Sequence, residues 1–247
     1  MSRSKFFTPN QTHVIELYSD SNKYIEQVEH EVISGTDAGS ILTEIFGQNV
    51  RFVYTPDSEK FNRLVDEAKK RGDIQSIINL YEPENTQYLL SRINPNDSIL
   101  INAQGDTKNK LIAGYDAEEL IDIIENDLEL KQISLKNLDI DSCRMGRVES
   151  YREELKSNLT NFQTITTYTD LCTASKRDNK ARRVWIEENG DEHVFYPESE
   201  LNKKGTRIIE YTDTYKSLLE GAWKANLDNL EEIDLSKHIN ILVPPSF

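Results

Sequence analysis

Through the first two thirds of the chain, short apolar runs alternate with segments of helical period, and this alternation constrains the fold more than any other feature. Residues 13–18 (HVIELY) read as a strand that ends in the polar cluster SDSN. Residues 22–34 place Tyr24, Ile25, Val28 and Val32 on one helical face. Residues 51–54 (RFVY) form a second strand, and 57–71 a helix with Phe61, Leu64, Val65 and Ala68 inward. Residues 98–102 (SILIN) read as a buried strand before a glycine-containing loop. Asp116 is placed to cap a helix carrying Leu120, Ile121, Ile124 and Leu128, with Glu119 at capping-box spacing. Residues 137–142 (NLDIDS) form another strand, with Cys143 at its end. Strands alternating with helices predict βαβ units and an α/β fold with a mostly parallel central sheet flanked by helices.

The last third changes character. Residues 183–186 and 193–196 flank Asn189-Gly190, a strong hairpin signal. Residues 207–211 offer a strand, 215–230 a helix with Leu218, Leu219, Ala222, Trp223 and Leu227, and 239–243 a closing strand. The polar stretch 173–180 reads as a loop. The expected organisation is one domain over 1–247: an α/β body (1–160), a β-rich flap built on the hairpin (161–212), and a C-terminal helix and strand (213–247).

Composition narrows the partners. The chain has 247 residues, 37% of them hydrophobic, enough for one sizeable core. Its formal net charge of −14 repels nucleic-acid phosphates and anionic membranes, so no nucleic-acid partner is expected. No run reaches the roughly 18 apolar residues of a membrane span, which predicts no membrane insertion, and the start MSRSKFFTPN lacks the apolar run of a signal peptide. Two cysteines, Cys143 and Cys172, do not suggest a disulfide framework, and a reducing compartment is the simpler reading. No metal is expected. There is no GxxxxGK[ST] and no GxGxxG to support a nucleotide-binding protein.

In parallel sheets reacting groups gather at the carboxyl ends of strands. Three candidates stand there: Asp20, the loop Ala103-Gln104-Gly105-Asp106, and Cys143. A thiolate at a partly exposed strand end is a nucleophile; the alternative is a small buried hydrophobe. Cys172 has no such context and reads as structural. Asp20 is either an orienting carboxylate or a turn residue. Backbone N–H groups near Gly105 could face an oxyanion. Lys176, Arg177, Lys180, Arg182, Arg183, Lys203, Lys204 and Arg207 stand out in an acidic chain, either as a solvated charged flap or as a site for a polyphosphate.

Residues 100–146 (LINAQGDTKNKLIAGYDAEELIDIIENDLELKQISLKNLDIDSCRMG) resemble the self-processing cysteine-protease domain of large clostridial glucosylating toxins and of multifunctional autoprocessing RTX toxins. IAGYDAEEL, residues 112–120, matches the phrase F-A-G-Y/F-D/S-x-x-x-L of that family, and Cys143 falls where the family has Gly-Cys. The resemblance implies a caspase-like fold and peptide-bond hydrolysis through a thioester, with Cys143 as nucleophile and Asp20 as the acidic member. The family's histidine position is Gln104, which has no proton to exchange near neutral pH; losing general acid–base catalysis costs roughly 10²–10⁴ in rate. Two readings follow: an inactivated or impaired autoprocessing peptidase of a bacterial toxin or effector, or a naturally non-catalytic protease-like module that engages a host protein or polyphosphate. His193, in the flap hairpin, is a conceivable substitute for the missing histidine. In this family a pair of arginines binds inositol hexakisphosphate, and Arg182 and Arg183 match that pair, with Lys203 and Lys204 nearby in sequence. The implied partners are the parent polypeptide as substrate and a host-cell protein as activator. The implied location is secretion within a toxin, with action in the host cytosol.

Overall fold

The structure is a computed structural model and describes residues 10–19, 38–73, 75–189 and 192–228. In chain order the strands are β1 (Thr12–Leu17), β2 (Val50–Tyr54), β3 (Ser76–Asn79), β4 (Ser98–Ala103), the short pair β5 (Gly105–Asp106) and β6 (Leu111–Ile112), and β7 (Leu135–Ser142). They continue with β8 (Phe162–Tyr168), β9 (Leu171–Arg177), β10 (Lys180–Asn189), β11 (Glu192–Pro197) and β12 (Arg207–Tyr211). The described helices are α1 (38–45), α2 (Ser58–Lys70), α3 (Pro83–Leu90), α4 (Ala117–Asp122), α5 (Glu149–Asn158), α6 (Leu201–Lys204) and α7 (Asp213–Asp228).

Seven strands form the central sheet in the order β12-β8-β7-β4-β1-β2-β3. Every neighbouring pair is parallel except β12, which runs antiparallel on the edge beside β8. The α/β class expected from the sequence is therefore present. Because helices cover both faces, the inner strands are buried on both sides and read as near-continuous runs: every residue of β2 is buried. On one face Ile15, Leu17, Ile99, Ile101, Leu138 and Ile140 pack with Leu89 of α3, Leu120 of α4 and Leu155 of α5. On the other face Val14 and Leu100 meet Leu42 of α1 and Ala174 of β9, while Val53 and Tyr18 meet Leu64 of α2.

The predicted start of α4 holds in detail. Asp116 Oδ1 accepts from the Glu119 amide at 2.9 Å, and the Glu119 carboxylate accepts from the Asp116 amide at 3.1 Å, so two otherwise unpaired donors are satisfied. Downstream, the stretch expected to be a loop is instead a hairpin. β9 and β10 pair antiparallel from Arg177↔Lys180 and turn through Asp178 (φ 53) and Asn179 (φ 57). Positive φ at both central residues is the turn whose twist matches the flanking strands, and Asp and Asn tolerate it. β10 also pairs antiparallel with β11, from Val184↔Pro197 to Asn189↔Glu192, while Gly190 of the expected Asn-Gly turn lies outside the described residues. β9, β10 and β11 make a separate three-stranded sheet, while β8 and β12 on either side of it belong to the central one. The helix expected over 22–34 and the strand over 239–243 lie outside the described residues.

Charged residues inside the sheet are paired. Arg51, fully buried in β2, donates through Nε and Nη2 to Glu16 at 2.8 and 2.7 Å and through Nη1 to Asp73 at 2.7 Å. Burial opposes its charge, but Glu16 and Asp73 more than compensate and keep it firmly protonated. Gly39 of α1 lets the helix pass over this pair, since a Cβ there would lie 2.1 Å from the Glu16 carboxyl carbon. Removing one partner of a buried pair leaves a desolvated charge, a loss of about 3–5 kcal/mol. Arg51→Met is expected to lose that much stability in urea unfolding. A loss below about 1 kcal/mol would mean that the pair is solvated.

Candidate functional site

The sheet order itself selects a place. From β1 the chain runs outward through β2 to β3, then returns to lay β4 on the other side of β1. In open α/β sheets ligands bind in the crevice beyond the carboxyl ends of strands at such a reversal. Beyond β1 come Tyr18 and Ser19, and the Ser19 carbonyl and hydroxyl both accept from the buried Lys60 ammonium, at 2.6 and 2.7 Å. Asp20, expected as the acidic member, lies outside the described residues. Beyond β4 comes Gln104, and beyond β7 comes Cys143.

The pairing Ala103↔Ser142 sets Gln104 and Cys143 side by side, each one residue past the paired strand ends. Gly105 makes this approach feasible. A Cβ at Gly105 would lie 2.5 Å from the Cys143 carbonyl oxygen, 2.7 Å from Ser142 Oγ and 2.9 Å from Met145 Cγ. The Gln104 carbonyl accepts from the Ala113 amide at 2.7 Å, which ties the loop to β6. So the two loops expected to meet over one sheet edge do meet.

Cys143 is half-buried. Its sulfur receives the Cys172 amide at 3.4 Å, and its thiol reaches the Cys172 carbonyl, also at 3.4 Å. Hydrogen bonding from the Cys172 side chain, helped by that amide, lowers the Cys143 thiol's pKa against the opposing effect of burial. The contact with Cys143, reinforced by burial and by Asp141, pushes the Cys172 thiol well above the usual range. The chain then turns sharply: Arg144 has φ 59, its amide donates to Asp170 O at 3.0 Å, and its guanidinium pairs with Glu188. Cys172, read from sequence as merely structural, is thus the direct partner of Cys143. No local signal marks it, because the contact depends on where β9 docks.

The basic cluster is placed differently from expectation. Arg183 is 7% exposed and turned inward under β10. It grips Asp139 in a two-point contact at 3.0 and 3.3 Å, lies 3.2 Å from Asp141 Oδ2, and donates to Tyr168 Oη at 3.0 Å. Its guanidinium is stacked on the Tyr168 and Trp185 rings, 5.2 Å from each centroid. Arg182, the next residue in the strand, points to the opposite face and donates to Arg177 O at 3.4 Å. Lys204 pairs with Glu187 at 2.5 Å and Lys203 is exposed. Recognition of a polyphosphate needs several cations converging, and here the matching arginines diverge, with one committed to interior carboxylates.

Neither described histidine hydrogen-bonds the thiol. His13 is buried near the start of β1, 3.0 Å from Asp97, at the opposite edge of the sheet from Cys143. His193 is exposed on β11, 3.8 Å from Glu188. His30 and His238 lie outside the described residues. Among the described residues no histidine hydrogen-bonds Cys143, and no cluster of three or more His, Cys, Asp or Glu could hold a metal ion. No described helix is long and apolar enough to cross a membrane.

No protein-family model and no curated protein matches the chain. Among solved structures it is similar to Mycoplasma capricolum TrmK in complex with its cofactor product S-adenosyl-homocysteine, at 10% identity and TM-score 0.30, covering 94% of this chain and 85% of that one. It is similar to a Streptococcus pneumoniae protein provisionally named a tRNA (m1A22) methyltransferase, at 11% identity and TM-score 0.29, covering 92% and 86%. It is also similar to an uncharacterized Listeria monocytogenes protein, at 12% identity and TM-score 0.30, covering 93% and 86%. None of these is a toxin protease. The resemblance to toxin cysteine proteases is corrected accordingly. With it go the autoprocessing-peptidase function, the protease-like binding module and the assignment to a toxin or effector. Inositol hexakisphosphate is corrected as well, both by these structures and by the inward ion pairs of Arg183. Likeness at this level transfers no activity, ligand or substrate to this chain.

Gly105→Ala puts a methyl group first against the Cys143 backbone carbonyl and then against Ser142 Oγ and Met145 Cγ, and overpacking of that kind costs about 1–3 kcal/mol. Urea unfolding is expected to show that loss. An unchanged midpoint would mean that the β4 and β7 loops are not in contact.

Proposed function

We propose that the chain works through a nucleophilic thiol, Cys143, presented at the carboxyl edge of the parallel sheet to an electrophilic ligand in the crevice beside β4. The observation that carries this reading is the pair of contacts from the Cys172 backbone that hold the Cys143 sulfur in place at a partly exposed strand end. A thiolate attacks and a thiol does not, so a downward shift in pKa raises the reactive fraction at neutral pH. Gln104, alongside, both donates and accepts hydrogen bonds and is suited to orienting a ligand rather than moving its protons. Gly105 keeps the space between the two loops narrow.

The finer description of the fold belongs to the same proposal. Helices on both faces of the sheet support a caspase-like arrangement, and the three-stranded sheet docked beside the carboxyl end of β7 supports a flap over the site. Neither carries the proteolytic activity with it.

The test is alkylation of the intact protein with iodoacetamide between pH 6 and 9, with each cysteine followed by peptide mass. Cys143 is expected to react at least about tenfold faster than Cys172, with a midpoint below the unperturbed thiol value of about 8.5. Cys143→Ser is expected to remove the fast phase, whereas equal rates at the two positions would refute the assignment.

A further inference from the structure

The same contacts that position the Cys143 sulfur bring a second thiol to it. Cys172 N and O each lie 3.4 Å from Cys143 Sγ, across 29 positions of sequence. The Cys172 Cα is one N–Cα bond of about 1.5 Å further on, so the sulfur is within about 5 Å of it. That places the Cys143 sulfur beside the backbone that carries the Cys172 side chain, and the two thiols hydrogen-bond each other. The cysteines are the only two in the chain, and both are half-buried.

We propose that Cys143 and Cys172 form a peroxide-responsive dithiol, in which Cys143 is the oxidised thiol and Cys172 the resolving one. This rests on the reading of Cys143 as a nucleophile. In the first step the Cys143 thiolate attacks one oxygen of a hydroperoxide. An S–O bond forms, the O–O bond breaks, and the leaving hydroxide (alkoxide, for an organic peroxide) takes a proton from solvent. In the second step the Cys172 sulfur attacks the Cys143 sulfenic acid. An S–S bond forms, the S–O bond breaks, and the departing hydroxide takes the Cys172 proton and leaves as water. The dithiol loses two electrons and the peroxide gains them.

The two cysteines differ in the sense these roles require. Cys143 is biased toward the thiolate, which reacts with peroxide, and Cys172 toward the thiol, which is spared until a sulfenic acid stands beside it. The bond would have a structural effect. Cys172 is the second residue of β9, so oxidation would fasten the three-stranded sheet covalently to the loop after β7 and to the edge carrying Gln104.

The experiment treats the full chain with a small excess of hydrogen peroxide, quenches free thiols with iodoacetamide, and maps peptides without reduction. The expected product is monomeric, about 2 Da lighter before quenching, with a Cys143–Cys172 peptide that reductant separates. Cys172→Ser is expected to accumulate a Cys143 sulfenic acid, trapped by dimedone, and Cys143→Ser to give neither product. Recovery of Cys143 as sulfinic acid with Cys172 free, or only of intermolecular disulfides, would overturn the proposal. Rapid alkylation of Cys143 without the intramolecular bond would sink this inference and leave the nucleophile reading standing. A Cys143 slow toward both reagents would sink both.

Discussion

Arg183 is the residue on which the site's geometry depends. β9, β10 and β11 share no ladder with the central sheet, so apart from the bond of the Arg144 amide to Asp170 O just before β9, backbone hydrogen bonds do not fix where they sit. What does is one guanidinium directed down from β10 onto Asp139 and Asp141 of β7, closed from the sides by Tyr168 and Trp185. A planar fork between two carboxylates has few satisfactory orientations, whereas apolar contact alone tolerates sliding. That orientation delivers β9 to the end of β7, and with it the Cys172 backbone to the Cys143 sulfur. The energetic contribution of such a group is modest, because desolvation offsets much of the attraction. Its contribution to register is larger.

A second buried group, Glu16–Arg51–Asp73, lies on the same face of the sheet, where Glu16 stands in one row with Asn102 and Asp141. It links β1 to β2 and to the segment that follows α2, next to the reversal of strand order. Gly39 brings α1 close over the same carboxylate. The two ionic clusters are carried by β1 and β7, on either side of β4. The opposite face of these strands is apolar, with Ile99, Ile101, Leu138 and Ile140 at or near zero exposure.

Features coded within a few consecutive residues were legible in the sequence. The apolar runs that became β1, β2, β4 and β7 and the box from Asp116 to Glu119 are all local, and each appears where it was expected. So does the approach of the loop after β4 to the loop after β7, because parallel neighbours end together. Features set by partners distant in sequence were not legible. β9 is polar over Thr173–Lys176, apart from Ala174, and becomes a strand because β10 folds back on it. Arg183 reads as a surface cation until β7, 44 residues earlier, supplies carboxylates beneath it. The alternation in LDID offered a hint, since Asp139 and Asp141 must share one face while Leu138 and Ile140 occupy the other.

The segment that suggested a protease shows how a sequence phrase can report folding rather than chemistry. In IAGYDAEEL, Ile112 bridges to Tyr115 across Ala113 (φ 49) and Gly114 (φ 78). A glycine suits the second position because an L side chain is strained there. Tyr115 is buried against the core, Asp116 and Glu119 cap α4, and Ala117 and Leu120 face inward. Every residue that made the match specific thus has a local structural task, and none of them touches the Cys143 sulfur. A chain that needed this tight turn from a strand into a capped helix would select the same residues whatever reaction occurred nearby. The neighbours of Cys143 are set elsewhere: the loop after β4 lies against it and Cys172 supplies the contacts to its sulfur. Those neighbours come from β4 and β9, on opposite sides of β7 in the sequence, and only the fold brings them together.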